Sequence, residues 1–91
     1  MMTSITYQVT VFDDRTEWRL DGQLHRTDGP AVEYANGNRF WYLNGQRHRV
    51  DGPAVESADG TCYWYLTNEE VTEAEHRRQT APAEELTVAD I

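Results

Sequence analysis

The chain has 91 residues, with 16 acidic side chains against 8 arginines and no lysine, for a net charge of −8. That balance excludes a polybasic footprint for DNA or RNA, and a single cysteine, Cys62, excludes an internal disulfide. No stretch approaches membrane-spanning length, and the start Met1-Met2-Thr3-Ser4-Ile5 shows no basic segment leading into an apolar run, so the expectation is one small, soluble, cytoplasmic domain.

Residues 5–12, Ile-Thr-Tyr-Gln-Val-Thr-Val-Phe, are rich in β-branched and aromatic types with roughly alternating polarity, which predicts a half-buried strand ended by Asp13-Asp14. From Trp18 onward the chain repeats every 23 residues: residues 18–40 match residues 41–63 at 14 of 23 positions, and Trp18, Trp41 and Trp64 keep step. The most distinctive string, His25-Arg26-Thr27-Asp28-Gly29-Pro30-Ala31-Val32-Glu33, returns as His48-Arg49-Val50-Asp51-Gly52-Pro53-Ala54-Val55-Glu56. So short a period means one supersecondary unit that cannot bury its apolar face alone and must stack on its copies. Val9 aligns with Val32 and Val55, which makes residues 1–17 a diverged first copy before units 18–40 and 41–66.

Each unit carries Asn-Gly or Asp-Gly punctuation, the strongest short hairpin signal, because both turn positions need positive φ. The architecture expected is therefore mainly β, an antiparallel meander of hairpins over residues 1–66. Taking Asn36-Gly37 as a two-residue turn pairs Tyr34 with Arg39 and Val32 with Trp41. Alternation then places Val32, Tyr34, Trp41 and Leu43 on one face, and Ala31, Glu33, Phe40 and Tyr42 on the other. In the next unit Val55, Trp64 and Leu66 oppose Glu56, Tyr63 and Tyr65. The ladder of Trp18, Trp41 and Trp64 with its leucines is the expected core. The opposite face, Phe40, Tyr42, Tyr63 and Tyr65 among Glu17, Arg19, Glu33 and Glu56, is the expected partner-binding surface, partly covered by the helix that follows.

After Leu66 the repeat pattern stops. Thr72-Glu73-Ala74-Glu75 forms a capping box, which predicts a short capping helix over about 72–79 within residues 67–79, with Arg77 and Arg78 in its later turns. Residues 80–91 read as a loose acidic tail.

His25, Arg26 and Asp28 look like a catalytic constellation, but His48, Arg49 and Asp51 duplicate it. An active site is needed once, whereas a residue that closes a turn is needed in every copy. These residues are therefore assigned to architecture, with Asp28 and Asp51 capping the Gly-Pro turns and the arginines pairing with a carboxylate or stacking on a ring. His25, His48 and His76 lack metal-ligand spacing, Cys62 has no companion base, and no glycine loop has a phosphate-cradling pattern. The expectation is no catalytic residue, no metal and no cofactor.

The unit Trp-x-x-Asn/Asp-Gly-x-x-His, with a second glycine turn and a closing aromatic, resembles the MORN repeat and, more closely, MORN-like antitoxin repeats. The string His-Arg-x-Asp-Gly-Pro-Ala, followed by an Asn/Asp-Gly turn and Trp-Tyr-Leu, is similar to short repeat proteins of bacteriophages and bacteria, in which a segment like residues 71–77 follows the last repeat. The resemblance implies a protein-binding, scaffolding or lipid-head-group module. Arg26 and Arg49 stand where MORN repeats carry a glycine after the histidine, and the negative charge disfavours anionic lipid, so no membrane role is expected. The reading that follows is a non-enzymatic accessory inhibitor, anti-CRISPR-like or anti-restriction-like, that blocks a basic, nucleic-acid-handling host protein through an acidic, aromatic surface. Two alternatives share that chemistry: an antitoxin or immunity protein for a cognate toxin, and a self-associating scaffold that dimerises through its sheet edges.

Overall fold

A computed structural model describes residues 6–81. Strand β1 (Gln8–Val11) and strand β2 (Arg15–Leu20) form the first hairpin, joined through Asp13-Asp14. They are followed by β3 (Gln23–Leu24), β4 (Val32–Tyr34), β5 (Arg39–Phe40), β6 (Tyr42–Leu43), β7 (Gln46–Arg47), β8 (Val55–Glu56), β9 (Cys62–Leu66), β10 (Glu69–Val71) and the helix α1 (Glu73–Thr80). The fold is mainly β, an antiparallel meander in the order β1-β2-β4-β5-β8-β9-β10, with β3 beside β2 and β6–β7 as a hairpin of its own. Residues 1–5 and 82–91, including most of the expected acidic tail, lie outside the described residues.

The two kinds of glycine turn differ. Asp21-Gly22 and Asn44-Gly45 are two-residue turns with both residues at positive φ (51° and 81°; 51° and 78°), the geometry whose twist matches the flanking strands. Asn36-Gly37 is not such a turn. The Tyr34 N–H donates to the Asn38 carbonyl at 2.8 Å and the Gly37 N–H to the Tyr34 carbonyl at 3.0 Å, so the loop holds three residues. The Asn36 side chain accepts the Asn38 N–H at 3.0 Å, an Asx turn that leaves Gly37 alone in the left-handed region, at φ 102°. Asp59 repeats this with the Thr61 N–H at 2.9 Å.

One extra loop residue shifts the register, and a one-residue shift flips faces. Val32 pairs with Phe40 instead of Trp41, and Glu33 with Arg39 instead of Phe40. Continued across the sheet, the observed register puts Glu17, Val32, Phe40, Val55 and Tyr63 in one row. The neighbouring row, on the opposite face, is Thr16, Glu33, Arg39, Glu56 and Cys62. Trp18, Ala31, Trp41 and Ala54 share that second face, since the Trp18 N–H donates to Ala31 and the Trp41 N–H to Ala54. The expected faces are thus corrected: Val32, Val55 and Tyr34 belong with the tyrosines, and Glu33 and Glu56 with the tryptophans.

The repeat also runs past Leu66, where the sequence pattern appeared to end. Thr67-Asn68 makes a third two-residue turn, at φ 48° and 68°, one period after Asn44-Gly45, and β10 returns along β9. The helix begins one residue later than expected. Thr72 caps it by accepting the Glu75 N–H at 3.1 Å, while the Glu75 carboxylate turns to Arg78 at 2.8 Å.

Burial centres on small residues: Ala31 and Ala54 are 0% exposed, Val32 5% and Val55 6%. The tryptophan ladder expected as the core is only half-buried. The physical reason is thickness. The protein measures 17 Å in its shortest dimension, and what meets each indole is one side chain, Arg26 over Trp18, Arg49 over Trp41 and His76 beside Trp64, so the indoles keep part of their surface exposed. The helix packs against Trp64, on the tryptophan face and not over the tyrosines as expected: the His76 ring, 3% exposed, lies 4.8 Å from the Trp64 ring.

Candidate protein-interaction face

On the tryptophan face the repeated motif is consumed by the fold. The Arg49 guanidinium lies 3.9 Å from the centroid of a Trp41 ring and donates to the Asp51 carboxylate (2.9 Å), the Pro53 carbonyl (3.0 Å) and Glu56 (3.1 Å). Arg26 repeats this over Trp18 at 3.8 Å, with Asp28, the Pro30 carbonyl and, at 3.7 Å, Glu33. The guanidinium leaves no room beneath it: a Cβ on Gly52 would stand 2.7 Å from the Arg49 Cζ, and one on Gly29 2.9 Å from the Arg26 Cζ. Glycine is therefore favoured here by close approach of the guanidinium and not by positive φ. Asp28 and Asp51 hold the arginine Nε rather than capping the turn, a correction to their expected role.

The histidines serve as clamps between units. His25 Nδ1 accepts the Asn44 N–H at 2.9 Å and His48 Nδ1 accepts the Thr67 N–H at 2.8 Å, each tying its unit to the two-residue turn of the next. His76 Nε2 reaches the Arg49 carbonyl at 2.6 Å, so α1 supplies over Trp64 the cover that Arg26 and Arg49 supply over the earlier tryptophans. A groove of about 530 Å³ lies on this face between residues 26–29 and 48–51, floored by Trp41 and Leu43. Its two guanidinium groups are already engaged as described.

The other face gathers the aromatics around one cation. Arg47, opposite Tyr42 across the Asn44-Gly45 turn, donates Nε to the Tyr42 hydroxyl at 3.2 Å and Nη1 to the Tyr65 hydroxyl at 3.4 Å. Its guanidinium lies 5.3 Å from the Tyr65 ring centroid and 5.7 Å from that of Phe40. The hydrogen bond to Tyr42 outweighs desolvation and holds the Arg47 pKa above the ordinary arginine value. The other seven described arginines each have a carboxylate within ion-pair distance, whereas Arg47 is held by phenols and rings. Tyr63, 43% exposed, continues the patch along β9, and Tyr34 packs edge-on to Phe40 at 5.7 Å.

Of the residues expected to meet a partner, Phe40, Tyr42, Tyr63 and Tyr65 are thus brought together. Arg19 shares their face but is committed elsewhere, bonding Glu17 at 3.2 Å and the Gly22 carbonyl at 3.0 Å. Glu33 and Glu56 lie on the opposite face, flanking Arg39 at 4.0 and 3.8 Å. Glu17 is gripped on both sides by Arg15, at 2.7 Å, and Arg19, and the Arg15 hydrogen bond leads in holding its carboxyl below the ordinary glutamate range. Arg47 escaped the sequence reading. A signal was present, since it occupies the repeat position of Leu24 and Glu70 and is therefore a residue the copying does not preserve.

Comparison with protein-family models, with characterised proteins and with solved structures yields no match. Among the described residues no group of three or more His, Cys, Asp or Glu side chains is placed to hold a metal ion, and no helix is long and apolar enough to cross a membrane.

Proposed function

We propose that this protein is a non-enzymatic, MORN-like binding module that acts by occupying a partner protein's surface with the face formed by Phe40, Tyr42, Tyr63, Tyr65 and Arg47. One observation carries the reading: Arg47, the one arginine among the described residues with no carboxylate within ion-pair distance, sits half-buried within a ring of aromatics, while the duplicated His-Arg-Asp residues are taken up by architecture. Rigid aromatic side chains around an arginine are the composition at which binding energy concentrates in protein interfaces. The net charge of −8 favours a partner with a basic rim, which is the surface a nucleic-acid-handling or defence protein offers to its substrate, and blocking that surface would make this chain an accessory inhibitor.

The test is affinity purification from the native cell with the full chain as bait, at two salt concentrations, beside an Arg47→Gln/Tyr63→Ala variant and an Arg39→Gln control on the other face. The expected result is a basic protein that weakens with salt and loses about 30-fold or more in affinity for the double variant, corresponding to about 2 kcal/mol. A partner bound equally by the double variant and lost on Arg39→Gln refutes the choice of face. Conversion of a small molecule by the purified chain refutes the module altogether.

A further inference from the structure

The two lateral edges of the sheet are chemically unlike. At one end β10 presents Glu69 and Glu70, and two copies meeting there would oppose carboxylates. At the other end β1 is an uncharged run, Gln8-Val9-Thr10-Val11, in which all four residues are exposed, Val9 to 46% and Val11 to 76%. None of the devices that usually protect an edge, a charge, a proline or a bulge, lies within it.

The direction of its backbone groups follows from the pairing. The Phe12 N–H donates to the Arg15 carbonyl at 2.7 Å, so residue 12 points its polar groups into the β1–β2 hairpin. In an antiparallel ladder these groups alternate along a strand, so Thr10 and Gln8 point inward with it, and Val9 and Val11 point their N–H and C=O outward. The outward residues flank Thr10 symmetrically: Val-Thr-Val reads the same in both directions.

We infer that β1 is a homodimer interface, in which a second copy of this chain pairs antiparallel about a two-fold axis through Thr10. Val9 then opposes Val11 of the second copy and exchanges two backbone hydrogen bonds with it, and the symmetry-related pair exchanges two more. Both valines lie on the tryptophan face, opposite Trp18 and Thr16 within the hairpin, so the four valines of the dimer form one apolar cluster over the joint. The axis runs perpendicular to the sheet. The Phe40–Tyr65 faces of the two copies consequently point to the same side, and the dimer offers a partner two such faces on one continuous sheet. The inference stands on the β1 edge alone and holds whether or not that face binds a partner.

An interface this narrow belongs to the weak class, so the dimer forms at micromolar to millimolar concentration. Sedimentation velocity on the full chain over that range tests it. The wild-type mass rises from 10.5 kDa to twice that value and stops. A Val9→Lys/Val11→Lys variant stays at 10.5 kDa, a Val9→Glu/Val11→Glu variant does the same, and an equimolar mixture of the two regains the doubled mass. Amide exchange at Val9 and Val11 of the unmodified chain slows with concentration while that of Glu69 and Glu70 does not, a readout independent of the variants' folding. A wild-type chain monomeric throughout, a mass growing beyond two copies by pairing of β1 with β10, or a dimer unmoved by the lysine pair each overturns the inference.

Discussion

Replacing Gly52 by alanine tests the architecture at its tightest point. The new Cβ would stand 2.7 Å from the Arg49 Cζ, 2.9 Å from Nη1 and 3.0 Å from Nε. A guanidinium at the end of a long side chain can usually move aside, but this one is fixed by the Trp41 ring, the Pro53 carbonyl and Glu56, with its side chain 20% exposed. Displacing it forfeits a ring contact of about 1 kcal/mol, a backbone hydrogen bond of about 1 kcal/mol and a half-exposed ion pair of about 0.5 kcal/mol. The tie to Asp51, which is 81% exposed, adds little. Against this, alanine restricts the unfolded chain and recovers about 0.5 kcal/mol. The expected loss is about 2 kcal/mol, or roughly 8–16 °C in Tm for a domain of this size.

The informative assay is a double-mutant cycle by urea and thermal unfolding. Arg49→Ala alone costs about the same 2 kcal/mol, and in its background Gly52→Ala should cost nothing or stabilise slightly, because no guanidinium remains to be displaced. If Gly52→Ala costs as much without Arg49 as with it, the close approach is not why glycine stands there, and the account of the motif fails.

Three further outcomes follow from the same geometry. His76→Ala empties a site 3% exposed over Trp64 and frees the Arg49 carbonyl, so it should cost about 2–3 kcal/mol and remove the amide protection of residues 73–80, read by hydrogen exchange. Thr67→Asn with Asn68→Gly restores at the third turn the residues of the second; since Thr67 is a β-branched residue held at φ 48°, the pair should raise stability by about 1 kcal/mol in thermal melts. Glu17 has its pKa depressed in the folded state, so the stability it confers is complete above the ordinary glutamate value of 4.5 and is lost as pH falls through its folded value. Glu17→Gln should flatten the acid limb of a Tm-against-pH curve below that point and leave the curve's shape near neutrality unchanged.

Much of the fold was legible because repetition exposes constraint. The 23-residue period, the Asp21-Gly22 and Asn44-Gly45 turns and the Thr72 cap each rest on local backbone chemistry, and each appears in the structure where the residues place it. The aromatic half of the candidate face was legible for the same reason, since Phe40 in β5 and Tyr42 in β6, and Tyr63 and Tyr65 within β9, each stand two residues apart along the chain. Its arginine was not, because Arg47 comes to Tyr65 from 18 residues away.

Two of the differences arise in the turns. Asn36-Gly37 has the same dipeptide as Asn44-Gly45, yet the Asn36 side chain closes on the Asn38 N–H and draws a third residue into the loop. That hydrogen bond and its repeat, from the Thr61 N–H to Asp59, moved Glu33 and Glu56 to the tryptophan face. The third turn was hidden for the opposite reason: Thr67-Asn68 carries no glycine, and His48, one unit earlier, helps hold it by accepting the Thr67 N–H. Local sequence thus determined the repeat, its hairpins and its helix cap, since these depend on φ preferences and hydrogen bonds within a few residues. Which face each side chain takes, what lies buried, and where Arg47 stands were decided by strand register and by contacts between units, which no stretch of the chain specifies alone.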